Sequence, residues 1–198
     1  KGGKKFKAVQ TGGPSGGCLT VKHLDTPIDF DNLLAEGSMM GSGGMIVMDE
    51  DDCMVSVSRF YLDFTVEESC GKCTPCRIGN KRLLEMLNKI TEGRGTMKDL
   101  DALSTLGKVI KDTALCGLGQ TSPNPVLSTL NNFYDEYVEH VRDKTCRAKQ
   151  CKALLTYTIN PELCSGCHLC FKHCPADAIL GDVRKPHVIN PDKCIKCG

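Results

Sequence analysis

Apolar positions along this chain follow one pattern up to about residue 50 and another from residue 53. Residues 5–30, KFKAVQTGGPSGGCLTVKHLDTPIDF, read as short strands around a glycine-rich turn. GSGGMIVMD at 41–49 gives a second glycine loop feeding a strand, so the first fifty residues predict a small α/β unit. From residue 53 the helical period takes over. CMVSVSRFYLDFTVE (53–67) spaces Met54, Val57, Phe60, Tyr61 and Phe64 at helical intervals, and RIGNKRLLEMLNKIT (77–91) does so with Ile78, Leu83, Leu84, Leu87 and Ile90. Thr96-Met97-Lys98-Asp99 has the form of a capping box and opens a third helix through Leu100, Leu103, Leu106, Val109 and Ile110. A fourth, over 123–142, carries Val126, Leu127, Leu130, Phe133, Tyr134, Tyr137 and Val141. Four amphipathic helices with short loops predict a bundle. Beyond residue 143 no long helix is predicted, and cysteines crowd the chain.

Composition changes this picture at one point. A net charge of +1 gives no electrostatic footprint for nucleic acid or an anionic membrane. An apolar content of 40% with 5% aromatics and no Trp suits small, helix-rich cores. Fourteen cysteines in 198 residues is the extreme value. A disulfide framework implies secretion, yet KGGKKFKAV at the N-terminus has no apolar stretch of the signal-peptide kind. Cys70-x2-Cys73-x2-Cys76 and Cys164-x2-Cys167-x2-Cys170-x3-Cys174-Pro175 gather three or four thiols into one loop, as metal clusters require and disulfide scaffolds do not. Metal ligation is expected, in a reducing compartment such as the cytoplasm. No stretch reaches the ~18 apolar residues that span a bilayer.

The first constellation is Glu68-Ser69-Cys70-Gly71-Lys72-Cys73-Thr74-Pro75-Cys76-Arg77, with Cys116 in a later Cys116-Gly117-Leu118-Gly119 loop. Each two-residue gap lets the backbone curl so that successive thiolates reach successive irons, and a distant cysteine completes a 4Fe–4S site. Cys70, Cys73, Cys76 and Cys116 are the expected ligands. The alternative is a zinc site of four cysteines, although zinc favours paired CxxC knuckles. Lys72 and Arg77 beside this cluster raise its potential or are simply solvated charges.

ESCGKCTPCR followed by a helix and the lone cysteine of CGLG resembles the NADH-binding flavoprotein subunit family. Its members include the respiratory complex I subunit, NAD-linked formate dehydrogenases and the beta subunit of electron-bifurcating, NAD-dependent iron-only hydrogenases. GGPSGGC (12–18), LDTPIDFD (24–31) and GSGGMIVMDE (41–50) resemble that family's ubiquitin-like, SLBB-type domain. The resemblance implies that FMN and NAD(H) bind in a Rossmann-like part N-terminal to these residues. Gly12, Gly13, Gly16 and Gly17 match neither GxGxxG nor GxxxxGK[ST], so tight turns are expected there and not a phosphate cradle.

The second constellation is the bacterial ferredoxin pattern at Cys164, Cys167, Cys170 and Cys174, followed by Cys194 and Cys197. In two-cluster ferredoxins the fourth cysteine of the run ligates the other cluster. Cys164, Cys167 and Cys170 are therefore assigned to one tail cluster, and Cys174, Cys194 and Cys197 to a second. The chain opens on Lys1 and stops at Gly198 inside the second motif, so each tail cluster is one ligand short and a longer subunit is expected. A zinc knuckle is the alternative. The ferredoxin tail brings the resemblance nearest to the hydrogenase beta subunit.

The third constellation lies between the two. His140, Cys146 and Cys151 suit zinc if a fourth donor joins them; of Cys53 and Cys18, Cys53 is preferred. Free thiols with a solvated histidine, or a 2Fe–2S cluster, are the alternatives. Such a site would staple the domains together.

The expected class is α+β. An SLBB-type portion (1–52) precedes a four-helix bundle with a 4Fe–4S cluster (53–142), a linker (143–160) and a truncated two-cluster ferredoxin-like domain (161–198). No Ser/His/Asp, paired-carboxylate or phosphate-loop arrangement appears, so no catalytic residue is assigned and the expected chemistry is outer-sphere electron transfer. The resemblance implies three 4Fe–4S clusters relaying electrons between FMN/NADH and partner clusters, with a 2Fe–2S thioredoxin-like subunit, an iron–sulfur hydrogenase subunit and ferredoxin as partners. A complex I or formate dehydrogenase subunit is the neighbouring alternative, and a structural zinc-binding interaction module the alternative of a different class.

Overall fold

The structure is a computed structural model that describes residues 3–197. It divides into two compact units, Lys1–Leu154 and Leu155–Gly198, whose elements make an α+β protein.

In the first unit, strand β1 (Phe6–Thr11) lies between β2 (Cys18–Thr20) and β3 (Met45–Asp49), antiparallel to both. Ala8 pairs with Thr20 on one side and Met48 on the other. The connection from β1 to β2 is a tight turn. Gly12 has φ +70°, and a side chain at Gly16 would run into the Thr11 carbonyl. A short helix α1 (Phe30–Ala35) is capped by Asp29, whose carboxylate accepts the Asn32 amide at 2.8 Å.

The helical part comprises α2 (Met54–Glu67), α3 (Asn80–Thr91), α4 (Met97–Thr113), α5 (Gly117–Thr121), α6 (Asn124–Asn132) and α7 (Tyr134–Val138). π-Helical turns over Pro75–Gly79 and Glu139–Asp143 lead into α3 and out of α7. Helix α2 packs on α3 and α6, and α4 packs on the same two, which closes a ring around Leu62, Leu83, Leu87, Ile90, Leu100, Leu103, Ile110, Val126 and Leu130. The capping box forms at Thr96, with Asp99 accepting the Thr96 amide at 2.6 Å.

Two departures from the periodicity are instructive. The helix expected over 123–142 is broken at Phe133 (φ −134°, ψ 37°) into α6 and α7. On α2 the buried face is Met54, Val55, Ser58, Tyr61, Leu62 and Thr65, whereas Phe60 is 66% exposed and Phe64 also faces out. Polar side chains enter this core because each is satisfied. Ser58 and Thr129 hydroxyls meet the Tyr137 hydroxyl at 2.9 and 2.8 Å, and Thr65 donates to the Tyr61 carbonyl.

The sheet shares a second small core with the helices, Ala8, Cys18, Met48 and Met54. Burial there pushes the Cys18 thiol up to about 12, which leaves it an inert apolar group. Residues 146–154, within the stretch expected as a linker, return to the helices and bury Cys146, Cys151 and Leu154 in the main core.

The second unit contains α8 (Leu169–His173) and a two-stranded antiparallel ribbon, β4 (Ile179–Leu180) with β5 (Val188–Ile189). So small a unit has little apolar core: Ala178 and His187 are buried, and its cysteines are half-buried or exposed. Among the described residues no helix is long and apolar enough to cross a membrane.

Candidate metal centres

The loop between α2 and α3 carries Cys70, Cys73 and Cys76. Cys70 is exposed, Cys73 half-buried and Cys76 buried at the start of the π-helical turn. Cys116 caps the N-terminus of α5, which packs against that turn. The amides of Leu115, the neighbour of Cys116, and of Cys76 lie towards the Cys73 sulfur and hold its pKa below the ordinary thiol value, with a smaller contribution from the Arg77 charge. Ser69 Oγ lies 3.2 Å from Cys76 Sγ, and Asn80 Nδ2 donates to the same sulfur at 3.5 Å. Asn80 is held in turn by Ser122, whose hydroxyl donates to its Oδ1 at 2.8 Å. Helix α5 approaches this closely because residue 119 is glycine; a Cβ there would sit 2.6 Å from Ala114 Cβ and 3.1 Å from Cys76 Cβ. Soft thiolate donors ringed by amide and hydroxyl donors are the chemistry that an iron–sulfur cluster requires, so these residues fit one.

In the second unit, the Cys164 sulfur accepts the His187 amide at 3.4 Å, and the Cys174 sulfur accepts the Ala178 amide at 3.3 Å. Amides of Ala178 and Ala176 hold the Cys174 thiol below its ordinary pKa. Cys170, Cys174, Cys194 and Cys197 line one cavity of about 280 Å³, with Pro175, Ile179 and Ile189 among its walls. This brings together the three cysteines assigned to the second tail cluster, and adds Cys170 from the first group.

The two cysteine loops are local copies of each other. Ile159-Asn160-Pro161 before Cys164 matches Ile189-Asn190-Pro191 before Cys194. Asn160 Oδ1 accepts the Glu162 amide at 2.9 Å and Asn190 Oδ1 the Asp192 amide at 3.0 Å, while Cys164 and Cys194 each donate to their Asn carbonyl at 3.1 Å. Gly166 (φ +68°) and Lys196 (φ +55°) occupy the same left-handed position. His187, 1% exposed, and His168, 2.8 Å from it, also line the Cys164 loop. The repeat at a spacing of thirty residues was legible in the sequence; the histidine pair left no signal there.

The third set closes most tightly. Cys53 precedes α2, His140 lies in the turn after α7, and Cys146 and Cys151 sit on the returning segment. All four are buried, His140 completely, and their ligand atoms lie within 4.8 Å of one another. Cys53 Sγ is 3.7 Å from Cys151 Sγ, and His140 Nε2 is 3.3 Å from each of those sulfurs. A tetrahedral zinc with ordinary bond lengths separates its sulfurs by about 3.8 Å and sulfur from nitrogen by about 3.5 Å, so the donor set fits a closed four-coordinate site. His140 Nδ1 lies 2.7 Å from the Glu136 carbonyl; donating there leaves Nε2 facing the sulfurs as a ligand. Cys18, the other donor weighed for this site, belongs to the sheet core instead.

Protonation in this pocket is shared. Burial works against charge on His140, but the Cys146 and Cys53 sulfurs outweigh it and hold the imidazole protonated up to about 10. Hydrogen bonds from Cys151 and Cys53 hold Cys146 below the usual thiol range, and contact with Cys146 and Cys53 pushes Cys151 up. In the metal-free state the raised imidazole pKa stabilises the fold fully below about 6.5, and that contribution is lost as pH rises through about 10. A metal must displace the protons that its thiol and imidazole donors hold. Apparent zinc affinity is therefore expected to rise steeply with pH near neutrality, measured by chelator competition at several pH values. An affinity independent of pH would contradict the proton sharing.

Residues 56–140 match the family described as NADH-ubiquinone oxidoreductase-F iron–sulfur binding region, and 157–180 match the 4Fe–4S binding domain. The first range contains Cys70, Cys73, Cys76 and Cys116, and the second Cys164, Cys167, Cys170 and Cys174. The chain is 64% identical to an NADP-reducing hydrogenase subunit, HndC, of Solidesulfovibrio fructosivorans, over 93% of this chain and 38% of that protein. It is 38% identical to the F-type subunit of the NADH-quinone oxidoreductase of Streptomyces coelicolor, over 73% of this chain and 32% of that protein. The chain thus spans less than two-fifths of the length of these relatives. Among solved structures, an NAD+-reducing [NiFe]-hydrogenase in its H2-reduced state superposes with a TM-score of 0.64 at 28% identity, covering 70% of this chain and 24% of that one.

Proposed function

This chain belongs to the family of NADH-quinone oxidoreductase F-type subunits, as the C-terminal region of one, and from that premise we propose that it is the electron-relay portion of an NAD(P)-linked, hydrogenase-type oxidoreductase. The carrying observation is the convergence of the Cys116–α5 segment on the Cys70–Cys76 loop, where Gly119 lets α5 close against Cys76. Bound there and in the tail, 4Fe–4S clusters supply one-electron carriers. Cys70, Cys73, Cys76 and Cys116 hold the first. Cys164, Cys167 and Cys170 hold the second, and Cys174, Cys194 and Cys197 the third, each tail cluster taking one further ligand from the intact subunit.

The chain's own residues tune the potential of the first site. Amides of Leu115 and Cys76 on the Cys73 sulfur, Ser69 and Asn80 on Cys76, and the Arg77 charge all favour the reduced state and raise the potential of the first site. FMN and NAD(H) bind in the N-terminal part of the subunit. The sheet unit at 1–52 is the end of an SLBB-type domain, and the ring of helices at 53–142 is the bundle that carries the first cluster. A 2Fe–2S thioredoxin-like subunit and an iron–sulfur hydrogenase subunit are its neighbours in a cytoplasmic complex. Ferredoxin is a second electron partner, reached through the tail in a bifurcating reaction. Cys53, His140, Cys146 and Cys151 hold zinc as a structural staple.

The test is electron paramagnetic resonance on the reduced, intact subunit, with visible absorption near 400 nm. Signals from three clusters are expected. A colourless protein that carries zinc alone would leave the interaction-module reading in its place.

A further inference from the structure

Cys53 is gripped on both sides by a buried ion pair that lies outside the donor set. Lys7 on β1 and Glu136 on α7 meet at 2.6 Å, with side chains 13% and 1% exposed. Lys7 Nζ also donates to the carbonyl of Asp52 at 2.5 Å, and Glu136 Oε2 accepts the amide of Met54 at 3.2 Å. Asp52 and Met54 are the residues immediately before and after Cys53. The backbone carbonyl of Glu136 is the group that orients His140, through Nδ1 at 2.7 Å. One residue, Glu136, therefore fixes one donor by its carbonyl and the chain around another by its carboxylate, and Lys7 completes the grip from the sheet.

A buried ion pair is a poor way to gain stability, because desolvating both charges cancels much of their attraction and a well-packed apolar pair does as well. What it does supply is direction. Its hydrogen bonds fix the backbone on either side of a single cysteine, and such outer-shell contacts govern how well a ligand is presented to a metal.

We propose that the Lys7–Glu136 pair is a positioning clamp for the four-donor centre, holding Cys53 and His140 in ligating geometry and tying β1 to the bound metal. This rests on the reading that Cys53, His140, Cys146 and Cys151 hold zinc. Coupling of this kind is reciprocal: a sheet that presents the ligands well is itself held by the metal.

The experiment uses the intact, zinc-loaded subunit and compares Lys7→Met, Glu136→Gln and Lys7→Arg with the wild type. Zinc release into excess chelator is expected to be about 10- to 100-fold faster for Lys7→Met and Glu136→Gln, the scale on which outer-shell partners act. Zinc-edge X-ray absorption of these two is expected to show one sulfur fewer than the three of the wild type, a selective loss that general loosening of the fold would not give. Lys7→Arg keeps the charge and is expected to restore slow release. Independently of any variant, amide exchange in β1 of the wild type is expected to speed up when zinc is removed. Release within about twofold of wild type with all three sulfurs retained would overturn the clamp, as would β1 exchange that ignores the metal. A wild-type subunit that takes up no zinc would sink the zinc reading itself, a distinguishable result.

Discussion

Cys76→Ser is expected to cost the intact subunit one whole cluster, about four irons, while leaving its helices folded. Cys76 is the buried cysteine of its set, held by Ser69 and Asn80 in a pocket that closes against Gly119. Serine fills that space and keeps those polar contacts, so the change falls on the donor atom: a hard hydroxyl stands where a soft thiolate is needed. NADH-driven electron transfer through the subunit is expected to fall roughly a hundredfold or more, beyond what loss of an outer-shell partner gives. Iron analysis and the disappearance of one paramagnetic signal check this. Retention of all the iron would mean that Cys76 is not a ligand.

His140→Ala is expected to have the largest effect on stability. It removes one of four donors and opens a void in the core at a completely buried position. The loss exposes the remaining three thiols to one another with no cation between them. Loss of a structural metal stands among the few single changes that exceed about 4 kcal/mol, which in a unit of this size lowers the melting temperature by about 10 °C. Differential scanning calorimetry with zinc analysis measures both. An unchanged melting temperature in a zinc-free variant would show that the centre does not staple the unit.

Chemistry was more legible in the sequence than packing. The CxxCxxC run and the ferredoxin run announce themselves because ligand spacing is a local property of the chain. Cys116 lies forty residues from Cys76, and only its glycine-rich loop hinted at a return. Among the candidate zinc donors, Cys53 and Cys18 could not be separated by residue type. The fold separates them, because Cys18 faces the sheet core while Cys53 stands at the mouth of α2 beside His140. The buried face of α2 departs from its apolar spacing for a related reason. Apolar residues at helical spacing pointed to Phe60 and Phe64, but Ser58 and Thr65 are buried once their hydroxyls find partners on α2 and, for Ser58, on α7. The break at Phe133 and the Lys7–Glu136 pair depend on contacts between distant segments, which periodicity does not record.

An electron relay with a separate metal staple makes a demand on metal content that neither part makes alone. Metal analysis of the intact subunit, paired with electron paramagnetic resonance during stepwise reduction, tests it most directly. The expected result is about twelve irons and one zinc per chain, with three resolved one-electron 4Fe–4S signals. A protein with zinc at the Cys70–Cys116 site and no reducible iron would contradict it.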